Sequence, residues 1–296
     1  MLDSWERRDV EVDGTRIHAA VAGDGPPVLL LHGYPQSLAM WHRVAPALAD
    51  QHTVVLADLR GYGDSSRPAS VPDHASYSKR AMAADQVGLM RQLGFETFAL
   101  VGHDRGARVA HRLCLDHPEA VSRVALLDIV PTRHVFSHVD RALAQTYYHW
   151  FFLSQPADLP EHLICADPGY WVRRKLAQWS GPAGIDAFAP EAVDEYVRCF
   201  SDADVVRASC EDYRAGASVD LEHDEVDAAA GRRVACPLLV LWGAEGFVGQ
   251  AYDVLDVWNE YATDVRGRAL GCGHFLAEEE PEETLAALRD FLARHG

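Results

Sequence analysis

GHDRGARVAHR, residues 102–112, decides the fold. It follows FETFALV, an apolar run of strand type, and passes into ARVAHRLCLDHP, which has helical spacing. A strand that meets a helix through a sharp turn flanked by two glycines lifts the central side chain over the edge of a sheet. The glycines are Gly102 and Gly106, and the residue between them is Asp104. In ester-cleaving enzymes that use this turn, the same place carries a serine. Here a carboxylate stands there, followed by Arg105 and Arg108.

The rest of the chain repeats the same grammar. VEVDGTRIHAAVAG reads as a β-hairpin turning at Asp13-Gly14. PPVLLLHGYP, HTVVLADLRGYGDSSRP, VSRVALLDIVP, CPLLVLWGAEG and RGRALGCGHF each begin as a strand and end in a turn. AMAADQVGLMRQLG is a helix stopped by Gly94, and PEETLAALRDFLARHG is a closing helix entered through Pro281. Alternating strands and helices predict an α/β fold, a mostly parallel central sheet with helices on both faces. Ligands of such sheets sit at the carboxyl ends of the strands. HGYP, HDRG, LLD and CGHF all fall there, so they are expected to converge on one edge.

From Pro131 to about Val226 the texture changes to helical, rich in tryptophan and tyrosine, without VLLL-type strands. The expected organisation is a core domain of residues 1–130 and 226–296, with a helical cap of residues 131–225 inserted. The EEE at 278–280 is expected to be a solvated helix entry.

Composition limits the partners. The 296 residues are 48% hydrophobic and 24% charged, as in ordinary globular proteins, and the length suffices for a core without disulfides. A formal charge of -17 excludes nucleic acid and acidic membrane surfaces as natural partners. It also makes Arg105 and Arg108 a local exception, fit for an anionic small molecule. No stretch approaches the roughly 20 apolar residues of a membrane span, and the N-terminal residues hold no leader-type apolar run. The 6 cysteines show no CxxC spacing and read as reduced, buried thiols, so a cytoplasmic location is expected.

Asp104 alone has two readings, a nucleophile or a cap for the following helix. The other loops weigh for the first. The backbone N–H groups of Tyr34, in HGYP, and of Arg105 are placed to form an oxyanion hole. His274, in CGHFLAEEEP, comes last in chain order, where this fold keeps its general base. Order leaves two candidates for the acid that orients it, Asp128 in LLD and Glu245 in WGAEG. A carboxylate nucleophile attacking an acyl carbon gives an anhydride, a poor hydrolytic route. On a saturated carbon bearing a leaving group it gives an ordinary ester that water can cleave. The leaving group is then a halide or an epoxide oxygen. Arg105 and Arg108, three residues apart on one helix face, match a substrate carboxylate, which favours a 2-haloacid over a neutral epoxide.

GHDRGARVAHRLCLDHPEAVSRVALLDIVPT, HGYPQSLAMWHRVAPALA, DLRGYGDSSRP, LWGAEGFVGQAYDVL and GCGHFLAEEEPEETLAAL together resemble the fluoroacetate (haloacetate) dehalogenases of the α/β-hydrolase superfamily. The likeness covers essentially the whole chain. It implies Asp104 as nucleophile, Arg105 and Arg108 as carboxylate ligands, and Asp128 as the support of His274. It implies a halide pocket of His149, Trp150 and Tyr213, with Trp179 also lining the site. Tyr34 departs from the phenylalanine expected at its position. A family member of this kind is a homodimer and needs no metal or organic cofactor. An epoxide hydrolase is the nearest rival, and a non-catalytic binding protein of the same fold a more distant one.

Overall fold

The computed structural model describes residues 1–293. β1 (Glu6–Val12) and β2 (Thr15–Ala22) form the expected hairpin, with Asp13 at φ 46° and Gly14 at φ 81° in its two-residue turn. Both residues at positive φ match the right-handed twist of the paired strands. β3 (Pro27–Leu31), β4 (Thr53–Ala57), β5 (Phe98–His103), β6 (Val121–Leu127), β7 (Leu238–Gly243) and β8 (Val265–Leu270) complete one sheet. Its order is β1-β2-β4-β3-β5-β6-β7-β8. All pairings from β4 through β8 are parallel, and the hairpin joins β4 antiparallel. The sequence Val28–Leu31 and the matching runs 54–57, 124–127 and 238–241 are buried throughout, because helices cover both faces of the central strands.

The strand order reverses at β3. From there the chain goes outward to β4, then returns to lay β5 on the other side. The carboxyl ends of β3 and β5 therefore flank the crevice where this architecture binds ligands. The loop 32–35 leaves one of them and Asp104 leaves the other. The helix Arg105–Asp116 packs against β5, β6 and the helix Lys79–Gln92.

Between β6 and β7 lie only helices, from Thr132–Ser137 to Val219–Ala229. The last of these runs across the boundary expected at residue 226 and stops before Gly231, at φ 65°. Two helices between β7 and β8, Phe247–Ala251 and Val254–Tyr261, carried no signal in the sequence because they are too short to display a period. The closing helix spans Pro281–Ala293; the remainder of its expected range, residues 294–296, lies outside the described residues.

Two expectations are corrected. The EEE segment is not a solvated entry. Glu278 is fully buried and meets Gln36 and Tyr196, and burial pushes its carboxyl up to about 8. Glu279 accepts the N–H groups of Gly181, Gly273 and Phe275. These acids brace the loop carrying His274. Nor are all the thiols buried. All six are free, but Cys165 is exposed on an outer cap helix and Cys236 is half-buried just before β7.

The corner at Asp104 leaves no room beside it. A Cβ on Gly106 would stand 2.4 Å from the backbone oxygen of His32. Gly106→Ala is expected to lower stability by about 1–3 kcal/mol, read as a shifted denaturant midpoint. An unchanged midpoint would contradict the close approach of helix and β3 loop.

Candidate active site

Asp104 sits at φ 45° and ψ -112°, a conformation costing on the order of 1–3 kcal/mol for a residue with a Cβ. Neighbouring chain holds it there. Its own N–H reaches Leu127 O at 3.3 Å, and Gly106 N–H reaches His32 O at 2.9 Å. Its side chain makes no capping bond to the helix, which disposes of the capping reading. Instead Oδ2 accepts the Tyr34 N–H at 2.9 Å. Gly33 is required for this approach, since a Cβ there would meet the Asp104 Cβ at 2.6 Å. The Arg105 N–H opens the helix and has no partner within it. Burial pushes the Asp104 carboxyl up, but His274, His103, Arg105 and Arg108 outweigh it and hold the pKa below its ordinary value.

His274 is placed by three contacts. Its N–H donates to Trp179 O at 2.9 Å, and its carbonyl accepts His103 Nε2–H at 2.8 Å. Its Nδ1 lies 2.6 Å from Asp128 Oδ2, and a carboxylate only accepts, so Nδ1 carries the proton. Asp128 is also strained, at φ 53°, and its Oδ1 is fixed by the Gly243 N–H at 2.9 Å. Burial lowers the His274 pKa, yet the hydrogen bond and charge of Asp128, then the charge of Asp104, raise it above the ordinary 6.5. Glu245, the other candidate acid, is exposed at the cavity mouth; Asp128 is the carboxylate on the imidazole.

Arg105 and Arg108 are both buried, but they are partnered differently. Arg105 turns Nε and Nη2 onto Asp212 at 2.8 and 2.7 Å, and Nη2 also reaches the Asp212 carbonyl. Only Nη1 stays outside these bonds. Arg108 gives Nη1 to Val130 O and Thr132 Oγ1, each at 3.0 Å, while its buried Nε has no partner. Among the described residues no carboxylate pairs with it. Burial, and then the charge of Arg105, lower its pKa.

Packed against them lies a cluster of donors. His149, Trp150 and Tyr213 are buried, with ring centroids 5.7 Å apart for His149 and Tyr213 and 6.3 Å for Trp150 and Tyr213. Tyr213 Oη, His149 Nδ1 and Trp179 Nε1 are all buried without a partner. Burial, then the charge of Lys175, holds His149 well below its ordinary pKa, so its ring is neutral. Each arginine stacks on one of these rings, Arg105 at 4.1 Å from the Tyr213 centroid and Arg108 at 4.5 Å from that of Trp150.

A cavity of about 180 Å³ joins these parts, lined by Asp104, Asp128, His149, Trp150, Trp179 and His274, with Tyr147 and Phe247. Arg105, Arg108, Tyr34 and Tyr213 are not among the residues that line it. Sequence reasoning missed Asp212, although it directly precedes Tyr213 in CEDYRAG. It also missed Lys175, a buried amine facing Tyr148, Trp171 and Trp179, which burial pushes down to about 7. Among the described residues the one group spaced to share a metal ion is His18, Asp58 and Asp64. It lies outside this cavity, and Asp58 already accepts the N–H groups of Leu38 and Asp64.

NMR titration of the His274 imidazole is expected to give a pKa above 6.5 that falls in Asp128→Asn, because only the charges of Asp104 and Glu279 then act against burial. An unchanged value in the variant would contradict the assigned cause.

The α/β hydrolase fold model matches residues 26–281. A fluoroacetate dehalogenase from a Burkholderia species is 49% identical, spanning 99% of this chain and 95% of that protein. A soluble epoxide hydrolase from Corynebacterium sp. strain C12 is 34% identical, with 95% of each covered. A solved Nostoc sp PCC 7120 structure, described as of an α/β hydrolase, superposes with a TM-score of 0.97 at 56% identity, covering 100% of both chains. No helix among the described residues is long and apolar enough to cross a membrane.

Proposed function

The chain belongs to the α/β-hydrolase family, and on that premise we propose that it is a hydrolytic dehalogenase of short 2-haloacids, converting fluoroacetate to glycolate and fluoride. The observation that carries this reading is a juxtaposition at the cavity. An ionised Asp104 stands near Arg108, a buried guanidinium that no carboxylate pairs with among the described residues. Packed against the two arginines are Tyr213 and Trp150, with His149 beside Tyr213, and both His149 and Tyr213 are neutral groups with buried, unpartnered polar atoms. A small molecule with an anionic head and a leaving halide matches both.

The residues act in sequence. The Arg108 guanidinium, with Nη1 of Arg105, takes the substrate carboxylate and brings the α-carbon over Asp104. Oδ2 is already held by Tyr34 N–H, so Oδ1 attacks. The carbon–halogen bond breaks, and its electron pair leaves with the halide toward His149, Trp150 and Tyr213. Fluoride is small, strongly hydrated and a poor leaving group, so donors fixed in advance replace its water as charge develops. What remains is an ester of Asp104 with glycolate. His274, neutral at Nε2, takes a proton from water, which attacks the ester carbonyl. Negative charge then gathers on Oδ2, where the N–H of Tyr34 waits and that of Arg105 can join it. Collapse breaks the ester bond, the departing glycolate oxygen takes the proton back from His274, and the Asp104 acid left behind loses its remaining proton to solvent, which restores the carboxylate. No metal or organic cofactor enters this scheme. The expected partner is a small anion; pairing as a homodimer rests on the family resemblance, and a cytoplasmic location on the unpaired cysteines.

The 34% identical soluble epoxide hydrolase supports the second reading, in which the same nucleophile opens an epoxide. A direct comparison separates the two. Ion-selective electrodes should record fluoride and chloride release from fluoroacetate and chloroacetate, with one glycolate formed per halide. Diol formation from a neutral epoxide without halide release from either acid would reverse the ranking.

A further inference from the structure

We propose that Asp212 is a positioning residue that locks the carboxylate clamp and the halide donors into one register, a proposal resting on the dehalogenase reading. Asp212 lies on the cap helix Ala203–Gly216, is fully buried and does not itself line the cavity. Its two oxygens receive Nε and Nη2 of Arg105 as a fork, and Oδ2 also accepts the Tyr62 hydroxyl at 2.7 Å. Oδ1 receives the Lys79 ammonium as well, and that lysine lies 3.5 Å from Asp220. Burial pushes the Asp212 carboxyl up, but Arg105 and then Lys79 outweigh it and hold the pKa well below the usual range.

Two consequences follow from the chemistry of this knot. The first concerns charge. Arg105 and Lys79 are balanced by Asp212 and Asp220, so the knot is neutral and Arg105 faces the substrate mainly as an oriented N–H. Arg108, without such a partner, supplies the positive charge. The second concerns geometry. Tyr213 follows Asp212 in the same helical turn, and the Arg105 guanidinium lies 4.1 Å over its ring. A fork with two parallel N–H···O bonds fixes direction as well as distance. It therefore sets how far the Tyr213 hydroxyl, carried by the cap, stands from the helix-borne Arg105 of the core. For an acid of two carbons, that distance decides whether the halogen meets its donor while the carboxylate is held.

Loss of a residue that only aids folding lowers the active fraction, and so lowers turnover of every haloacid alike. Loss of a residue that places Tyr213 and Arg105 weakens fluoride departure most, since bromide leaves without such help. Asp212→Asn is therefore expected to raise KM for both fluoroacetate and bromoacetate. It should also cut kcat on fluoroacetate about tenfold more than kcat on bromoacetate, the scale of a lost charge-assisted hydrogen bond. Equal factors on both acids with KM unchanged would overturn the proposal. Should that variant fail to fold with Lys79 and Arg105 left unneutralised, Tyr62→Phe removes one neutral donor from Oδ2 and keeps every charge. It is expected to shift the fluoroacetate-to-bromoacetate kcat ratio the same way by about two- to fivefold. A ratio unchanged in Tyr62→Phe would equally overturn it. Wild-type halide release is the reference throughout: its absence for both acids overturns the dehalogenase reading and with it this proposal, whereas its presence with an unmoved ratio overturns this proposal alone.

Discussion

Everything at the site hangs from one strained residue. Asp104 is held at φ 45° between β5 and the helix Arg105–Asp116, without a capping bond from its own side chain to that helix. The cost is met by packing around it: the N–H of Gly106 on the loop after β3, the N–H of Asp104 on the end of β6, and glycines wherever backbone passes close. In exchange the carboxylate projects over the sheet edge at the point where strand order reverses. One oxygen is then fixed by Tyr34 N–H. That bond distinguishes the two oxygens, so that in the proposed scheme one is left to attack and the other carries charge afterwards.

The electrostatics divide along the same lines. A carboxylate buried among cations stays ionised, and a histidine buried between two carboxylates has its proton affinity raised. The helices between β6 and β7 contribute the opposite character, rings that burial keeps neutral with polar atoms left unpaired. Stacking of Arg105 on Tyr213 and Arg108 on Trp150 joins the two sets. In the proposed reading, an anionic substrate with a leaving group at its neighbouring carbon meets both. A neutral epoxide would leave Arg108 buried with no carboxylate to meet it.

The core was legible in the sequence because parallel strands buried on both faces read as continuous apolar runs, each closed by a turn. The hairpin at Asp13-Gly14, the order of the loops and the corner at GHDRG all follow from such local rules. The pairing of His274 with Asp128 rather than Glu245 was not legible from order alone, since both acids end strands; three-dimensional position separates them. The proposed halide donors were visible only through resemblance, because YYHWFF has the texture of any packed helix face. Asp212 was hidden for a different reason. Its partners, Tyr62, Lys79 and Arg105, come from three separate segments, so nothing near it in sequence marks it. The burial of Glu278 was misread likewise, since a run of acids signals solvent unless a distant tyrosine and glutamine close over it.

The central claim is that the Asp104 carboxylate, and not water, displaces the halide. A single turnover of excess enzyme with fluoroacetate in ¹⁸O-enriched water tests it most directly, followed by mass analysis of the peptide containing residues 102–112 and of the product. The covalent route predicts that the heavy oxygen enters Asp104 and that the first glycolate released carries none at its hydroxyl. Label in the glycolate hydroxyl with an unlabelled Asp104 would contradict it.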